Sequence, residues 1–209
     1  VSRETGHLFV GFSNKVVCSF SLSSLELIGS IVLRKQPTAI QYSSFSATAV
    51  DRTADANKVH HVLLASDKAG EVFAVDAPLL QKQVLLSGHT ASVITDLAIH
   101  KSTSAHYVAT ADRDEKVRIS HFPDMENIHT FFLGHTKVVA SVCFVELNGR
   151  VLALSTGWDH KLNLWDAHSG ALVQSLSFLP ESEKAETSVE AKEEEAEEGA
   201  EADAAGAEA

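Results

Sequence analysis

Cysteine is nearly absent: Cys18 and Cys143 are the only two in 209 residues, and no C-x-x-C spacing pairs them. Both fall in alternating apolar stretches, so buried free thiols are expected rather than a disulfide or a metal site. Methionine occurs once, at Met125, and the chain begins at Val1, so a fragment of a longer protein is expected. No apolar run approaches the roughly 18 residues of a membrane-spanning helix, and no secretory pattern opens the chain. A reducing compartment, cytosol or nucleus, is the expectation.

Signatures of catalysis are missing as well. There is no G-x-S-x-G, no P-loop and no G-x-G-x-x-G, and nothing alternates as βαβ to build a cofactor cleft. Asp112, Asp114 and Glu115 crowd into one turn, whereas a glycosidase needs its carboxylates facing each other across a cleft. Of the eleven histidines, the adjacent His60 and His61 would point to opposite faces of a strand, and the others lack zinc-site spacing. No catalytic residue, no metal and no cofactor is expected.

The net charge of −11 is unevenly placed. Nearly all of it lies from Glu181 onward, in a run of Glu and Ala. That segment, 180–209, has too little apolar surface to offset the entropy of ordering, so disorder is expected there. The first 179 residues are close to neutral.

What those residues do contain is a repeat. Gly88-His89 and Gly134-His135 stand 46 residues apart, each followed by Thr. The stretch Thr110–Ile119 recurs 45 residues later as Ser155–Leu164, closing on Trp165-Asp166, and 45 residues earlier as Ala65–Ala74. A weaker copy runs from His7 to Phe20. Each copy reads as a strand, a polar turn and a second strand with period-two alternation. A period near 45 bounded by Gly-His and Trp-Asp resembles the WD repeat, which folds as four strands per β-propeller blade. The fold expected is therefore all-β, with blades at 1–33 (partial), 36–86, 88–133 and 134–178. Related propellers usually have seven blades, so further blades are expected outside this sequence.

The WD resemblance implies a hydrogen-bonded series within a blade. His from Gly-His, Ser or Thr on the second strand, Asp in the turn and Trp on the third strand take part. Mapped by position, the fourth blade supplies His135, Ser155, Asp159 and Trp165. The third supplies His89, Thr110 and Asp114, with Ser120 where Trp would stand. The second has Ala65, Ala69 and Val75 at those places, so it is expected to rely on apolar packing alone.

One turn is unusually charged: Asp112-Arg113-Asp114-Glu115-Lys116-Val117-Arg118. A solvated turn with local ion pairs would account for some of this; a docking edge that selects a partner by charge is the functional reading. The run A-D-R-D-E-K-V-R-I-S, followed by Leu133-Gly134-His135-Thr136, resembles the WD-repeat non-catalytic subunit of the tRNA (guanine-N7) methyltransferase, as found in fungi. The preceding strand Tyr107–Thr110 and the ending Ile119–Pro123 share the resemblance, which is strongest over 85–140. It implies a nuclear heterodimer in which this subunit holds the catalytic subunit active for methylating the guanine at tRNA position 46. It also implies that Arg113, Glu115, Lys116 and Arg118 meet that partner, with Arg118 expected at the surface and Asp114 serving the blade. Near-neutral blades argue that tRNA is bound mainly through the partner. Two other classes stay open. One is an adaptor of another complex, such as a ubiquitin-ligase substrate receptor or a chromatin reader, to which Trp158 near a turn would suit. The other is a propeller hydrolase, for which no converging nucleophile and base is visible.

Overall fold

Period-two alternation between tight polar turns produces a succession of antiparallel hairpins. The computed structural model describes Ser2 and residues 5–46, 59–89, 92–101 and 106–178. The acidic segment expected to be disordered lies outside the described residues. Among those described, every regular element is a strand.

The first sheet holds β1 (His7–Gly11), β2 (Val16–Ser21) and β3 (Leu27–Val32). The second holds β4 (Pro37–Ser46), β5 (Val59–Asp67), β6 (Glu71–Asp76) and β7 (Gln83–Gly88). The third holds β8 (Ile94–Lys101), β9 (His106–Asp112), β10 (Lys116–His121) and β11 (Ile128–Leu133). The fourth holds β12 (Val139–Leu147), β13 (Arg150–Gly157), β14 (Lys161–Asp166) and β15 (Leu172–Ser177). Each sheet is an antiparallel meander in chain order, and together they are WD-type propeller blades. The first strands of the three four-stranded sheets, β4, β8 and β12, run beside one another. A bulge recurs at the same place in these strands, at Pro37/Ala39, Ile94/Asp96 and Val139/Ser141. Bulges increase local twist, and their repetition gives each blade the same twist.

Apolar side chains from facing sheets fill three seams. Phe9, Val17, Leu63 and Val75 join the first two sheets; Leu64, Val72, Ile94 and Met125 join the next pair; Ile119, Phe132, Val142 and Trp165 join the last. Trp165 is 1% exposed and stacks on Phe132 with centroids 5.1 Å apart. Gly134 lies under the indole: a Cβ there would come within 3.0 Å of the Trp165 ring. Cys18 is buried, and burial pushes its thiol pKa up. Cys143, expected to be buried, is exposed. It points to the side of β12 away from the third sheet, where Val145 and Leu147 are exposed too.

In the fourth blade the polar series forms as a chain of donors. Trp165 Nε1–H donates to Ser155 Oγ at 2.8 Å, Ser155 Oγ lies 2.8 Å from His135 Nε2, and His135 Nδ1 lies 3.0 Å from the Asp159 carboxylate. An indole can only donate and a carboxylate can only accept. The serine hydroxyl therefore donates to Nε2, and His135 carries its proton on Nδ1. Asp159 also accepts the Thr136 and Lys161 N–H groups at 3.1 and 3.2 Å. Burial alone would raise the Asp159 carboxyl pKa, but these bonds outweigh it and hold the group below the ordinary carboxylate value.

The third blade departs from the mapping. His89 Nε2 meets Thr110 Oγ1 at 2.8 Å, but Nδ1 meets Asp112, at 3.0 Å, and not Asp114, which is exposed. Asp112 is 4% exposed and its other oxygen accepts the Lys116 N–H at 2.9 Å. The reason is steric and visible in the fourth blade, where Gly157 occupies the place of Asp112. A Cβ on Gly157 would lie 2.7 Å from Asp159 and 2.8 Å from His135 Nδ1. Only one of the two positions can deliver the carboxylate, and an Asp at the end of the second strand takes precedence. The second blade obeys the same rule without a histidine. Its Asp67 is fully buried and accepts the backbone N–H groups of Lys35, Ala69 and Glu71, so this blade keeps its polar anchor and does not rely on apolar packing alone.

Asp112→Ala and Asp159→Ala should each destabilise the fold by about 1–3 kcal/mol, because each strands a buried imidazole. Asp114→Ala should change stability by no more than about 0.5 kcal/mol; urea denaturation separates the three. The folded-state pKa values of Asp112 and Asp159 are depressed, so their contribution is complete above the unfolded Asp value of about 3.9 and is lost as pH falls through the lower folded values. The thermal midpoint should decline on acidification from about pH 5 downward, and less steeply in Asp159→Asn.

Candidate docking site

The charged turn connects β9 to β10 through three residues, Arg113, Asp114 and Glu115. Asp112 clamps it from behind by bonding the Lys116 N–H across the turn, and the Arg113 N–H donates to the Val93 carbonyl at 2.9 Å. Glu115 takes a left-handed conformation with φ of 71°, as the last residue of a three-residue hairpin loop does. Lys15, Gly70 and His160 hold the same place in the other blades, with φ of 75°, 83° and 57°. Gly70 is obligatory, because a Cβ there would strike the Ser92 carbonyl at 2.2 Å. The charged turn is thus a rigid loop that accepts a strained glutamate where glycine would suit the backbone.

Arg113, Asp114, Glu115 and Lys116 are all exposed. Arg113 Nε lies 3.5 Å from Asp114 Oδ1, with the two side chains 57% and 46% exposed. A pair this open contributes little to stability, so the fold does not require these charges. Three of the four residues expected at a partner edge, Arg113, Glu115 and Lys116, stand together at the surface.

Arg118 does not join them. It is 8% exposed, because its place on β10 directs the side chain into the seam with the second sheet. There Nη2 donates to Ser87 Oγ at 2.5 Å and Nη1 to the Gly88 carbonyl at 3.3 Å. Burial lowers its pKa, against the pull of nearby Asp112. The guanidinium reaches the glycine before His89, as Trp165 covers the glycine before His135. With Ser120 at the tryptophan position, Arg118 takes over contact with the Gly-His step, and Ser120 Oγ is left without a partner. Among the described residues, no three His, Cys, Asp or Glu side chains converge to hold a metal.

Sequence spacing missed Asp112 and Asp67, for which an Asp closing the second strand was the available signal. It also missed Asn163, which donates to His135 Nε2 at 3.3 Å and holds Ser175 at 2.6 Å. Arg118→Ala should cost about 1.5–3 kcal/mol, the range for hydrogen bonds to charged groups. Arg113→Ala should stay within about 0.5 kcal/mol. Equal midpoints for the two in guanidinium denaturation would contradict this placement.

Comparison with known proteins bears on this geometry. A family model described as the tRNA methyltransferase TRM82 WD40 domain matches residues 24–202. A protein of Eremothecium gossypii named tRNA (guanine-N(7)-)-methyltransferase non-catalytic subunit TRM82 is 38% identical over 119 residues, covering 56% of this chain and 26% of the relative. Its namesake in Vanderwaltozyma polyspora is 27% identical over 183 residues, 84% of this chain and 38% of the relative. In Dictyostelium discoideum the non-catalytic subunit wdr4 is 32% identical over 150 residues, 63% of this chain and 31% of the relative. The chain thus spans between about a quarter and two-fifths of the length of these relatives. With most of its length matched by the family model, the chain belongs to the TRM82 WD40 domain family of the tRNA methyltransferase.

Proposed function

We propose that this chain is part of a non-catalytic subunit that binds the catalytic subunit of a tRNA guanine-N7 methyltransferase and keeps it active for methylation at tRNA position 46. Family membership over residues 24–202 carries the reading, supported by relatives whose names all describe a non-catalytic subunit. The blade scaffold supplies what such a role needs, a rigid support that offers charges it does not itself use. In this proposal Arg113, Glu115 and Lys116 contact the partner directly, while Arg118 acts from the seam by fixing the strand that carries them. Alternating charge at such an edge sets register and excludes wrong partners more than it adds affinity. Transfer RNA is engaged mainly through the catalytic subunit, and the site of action is the nucleus.

The test is a pull-down of the full-length protein from its own cells. It is done beside a variant with Arg113→Glu, Glu115→Lys and Lys116→Glu, and the eluate is assayed for guanine-N7 methylation of tRNA. Recovery of a methyltransferase and its activity, with about a tenfold or greater loss in the variant, is the expected result. Glu115→Gly gives a gentler probe, since Gly70 shows that glycine suits this turn position. Recovery of ubiquitin-ligase or chromatin subunits in place of a methyltransferase would overturn the reading.

A further inference from the structure

Trp158 is 66% exposed, in a chain with only one other tryptophan. Its place in the fold recurs. The first residue of the hairpin turn is Lys68 in the second blade, Arg113 in the third and Trp158 in the fourth. Each donates its N–H to the loop that enters the same sheet: Lys68 to Gln36 at 2.9 Å, Arg113 to Val93 at 2.9 Å and Trp158 to Val138 at 2.9 Å. The backbone of this position is fixed while its side chain is free to vary, and all three side chains are exposed. Folding therefore does not explain an indole at Trp158, whose polar neighbours in the turn leave it no apolar cover. A large exposed aromatic of this kind is the informative exception on a protein surface.

The end of the blades that carries Trp158 is rich in lysine. The hairpin turns and the loops entering each sheet share one end of the blades, and Lys15, Lys35, Lys68, Lys116 and Lys137 are exposed there. The aspartates of this end, Asp67, Asp112 and Asp159, are buried and occupied by turn N–H groups and histidines. Asp114 and Glu115 are exposed beside Arg113, within the cationic face. Those two carboxylates would sit against the phosphates of a nucleic-acid strand. A surface that stacks single strands also offers successive aromatics, whereas here Trp158 in the fourth sheet and Phe12, 42% exposed in the turn of the first, have two sheets between them. An exposed indole on a face of mixed charge, in the blade next to the one that exposes Arg113, matches the make-up of a protein–protein interface, where Trp and Arg dominate.

We propose that Trp158 is the apolar anchor of the partner interface whose charged edge is the Arg113–Lys116 turn, and that the partner presents an apolar pocket rimmed by carboxylates. This rests on the reading of the chain as a methyltransferase scaffold and adds to it a second blade and a residue outside the charged turn.

The test uses the full-length protein with its tryptophans replaced by 5-fluorotryptophan, the resonance of Trp158 being assigned with Trp158→Phe. Unlabelled catalytic subunit is then added and followed by fluorine NMR, and affinity is measured for the wild type and for Trp158→Ala. The Trp158 resonance should shift on binding, and Trp158→Ala should weaken binding by about 30-fold or more, as loss of a hot spot does, with an unchanged melting temperature. Wild-type affinity in Trp158→Ala with an unmoved resonance would overturn the anchor and leave the scaffold function standing. Absence of any binding by the wild type would overturn both. A shift produced by tRNA alone and not by the catalytic subunit would overturn the anchor in favour of an RNA surface.

Discussion

A carboxylate buried at the root of the hairpin turn is the constraint on which the blades depend. Asp67, Asp112 and Asp159 each close a loop by accepting N–H groups that would otherwise be unpaired away from water. Unsatisfied buried groups of this kind cost more than a made bond returns, so the carboxylate fixes the turn. In two of the three blades it also holds the histidine of the incoming loop. One side chain thereby ties the start of a blade to its middle, and the serine or threonine beyond the histidine extends the tie across the sheet. Because the whole series is satisfied in the fourth blade, it rigidifies that blade as a unit.

Turn rigidity is what makes the charged edge usable. Apart from the fixed carboxylate, the side chains of these turns contribute little to folding, so their identities are open to other demands. In the third blade they are Arg113, Asp114 and Glu115; in the fourth, Trp158 and His160 on either side of the fixed Asp159. The glutamate even tolerates a left-handed backbone that glycine would adopt more easily. Arg118 shows the opposite case, a charged residue drawn inward because Ser120 leaves the tryptophan place unfilled.

Much of this was legible in the residues. Period-two alternation, Gly-His, Trp-Asp and a spacing near 45 pointed to an all-β fold of WD type, and the sheets are of that kind. In the fourth blade the WD resemblance named His135, Ser155, Asp159 and Trp165 and passed over Asn163, which joins them at His135. The errors arose where linear spacing stands in for geometry. Counting 45 residues back from Asp159 lands on Asp114, yet the space beside His89 is filled from two residues earlier, a substitution that the glycine at 157 conceals. Likewise, Arg118 shares a run with four exposed charges, but strand alternation and an unfilled place next to Gly88 turn it inward. Cys143 alternates with apolar neighbours as a core residue would, on a side of β12 that no described strand covers.

The placement of charge has a dynamic consequence. Lysines crowd the end bearing the hairpin turns, while Glu26, Asp124 and Glu126 are exposed at the opposite end beside Lys82 and Lys101. The lysines at the turn end stand among buried carboxylates that face histidines and turn N–H groups instead of solvent. Exposed cations attract an acidic surface before contact, and that pull fades as salt shortens the reach of the field.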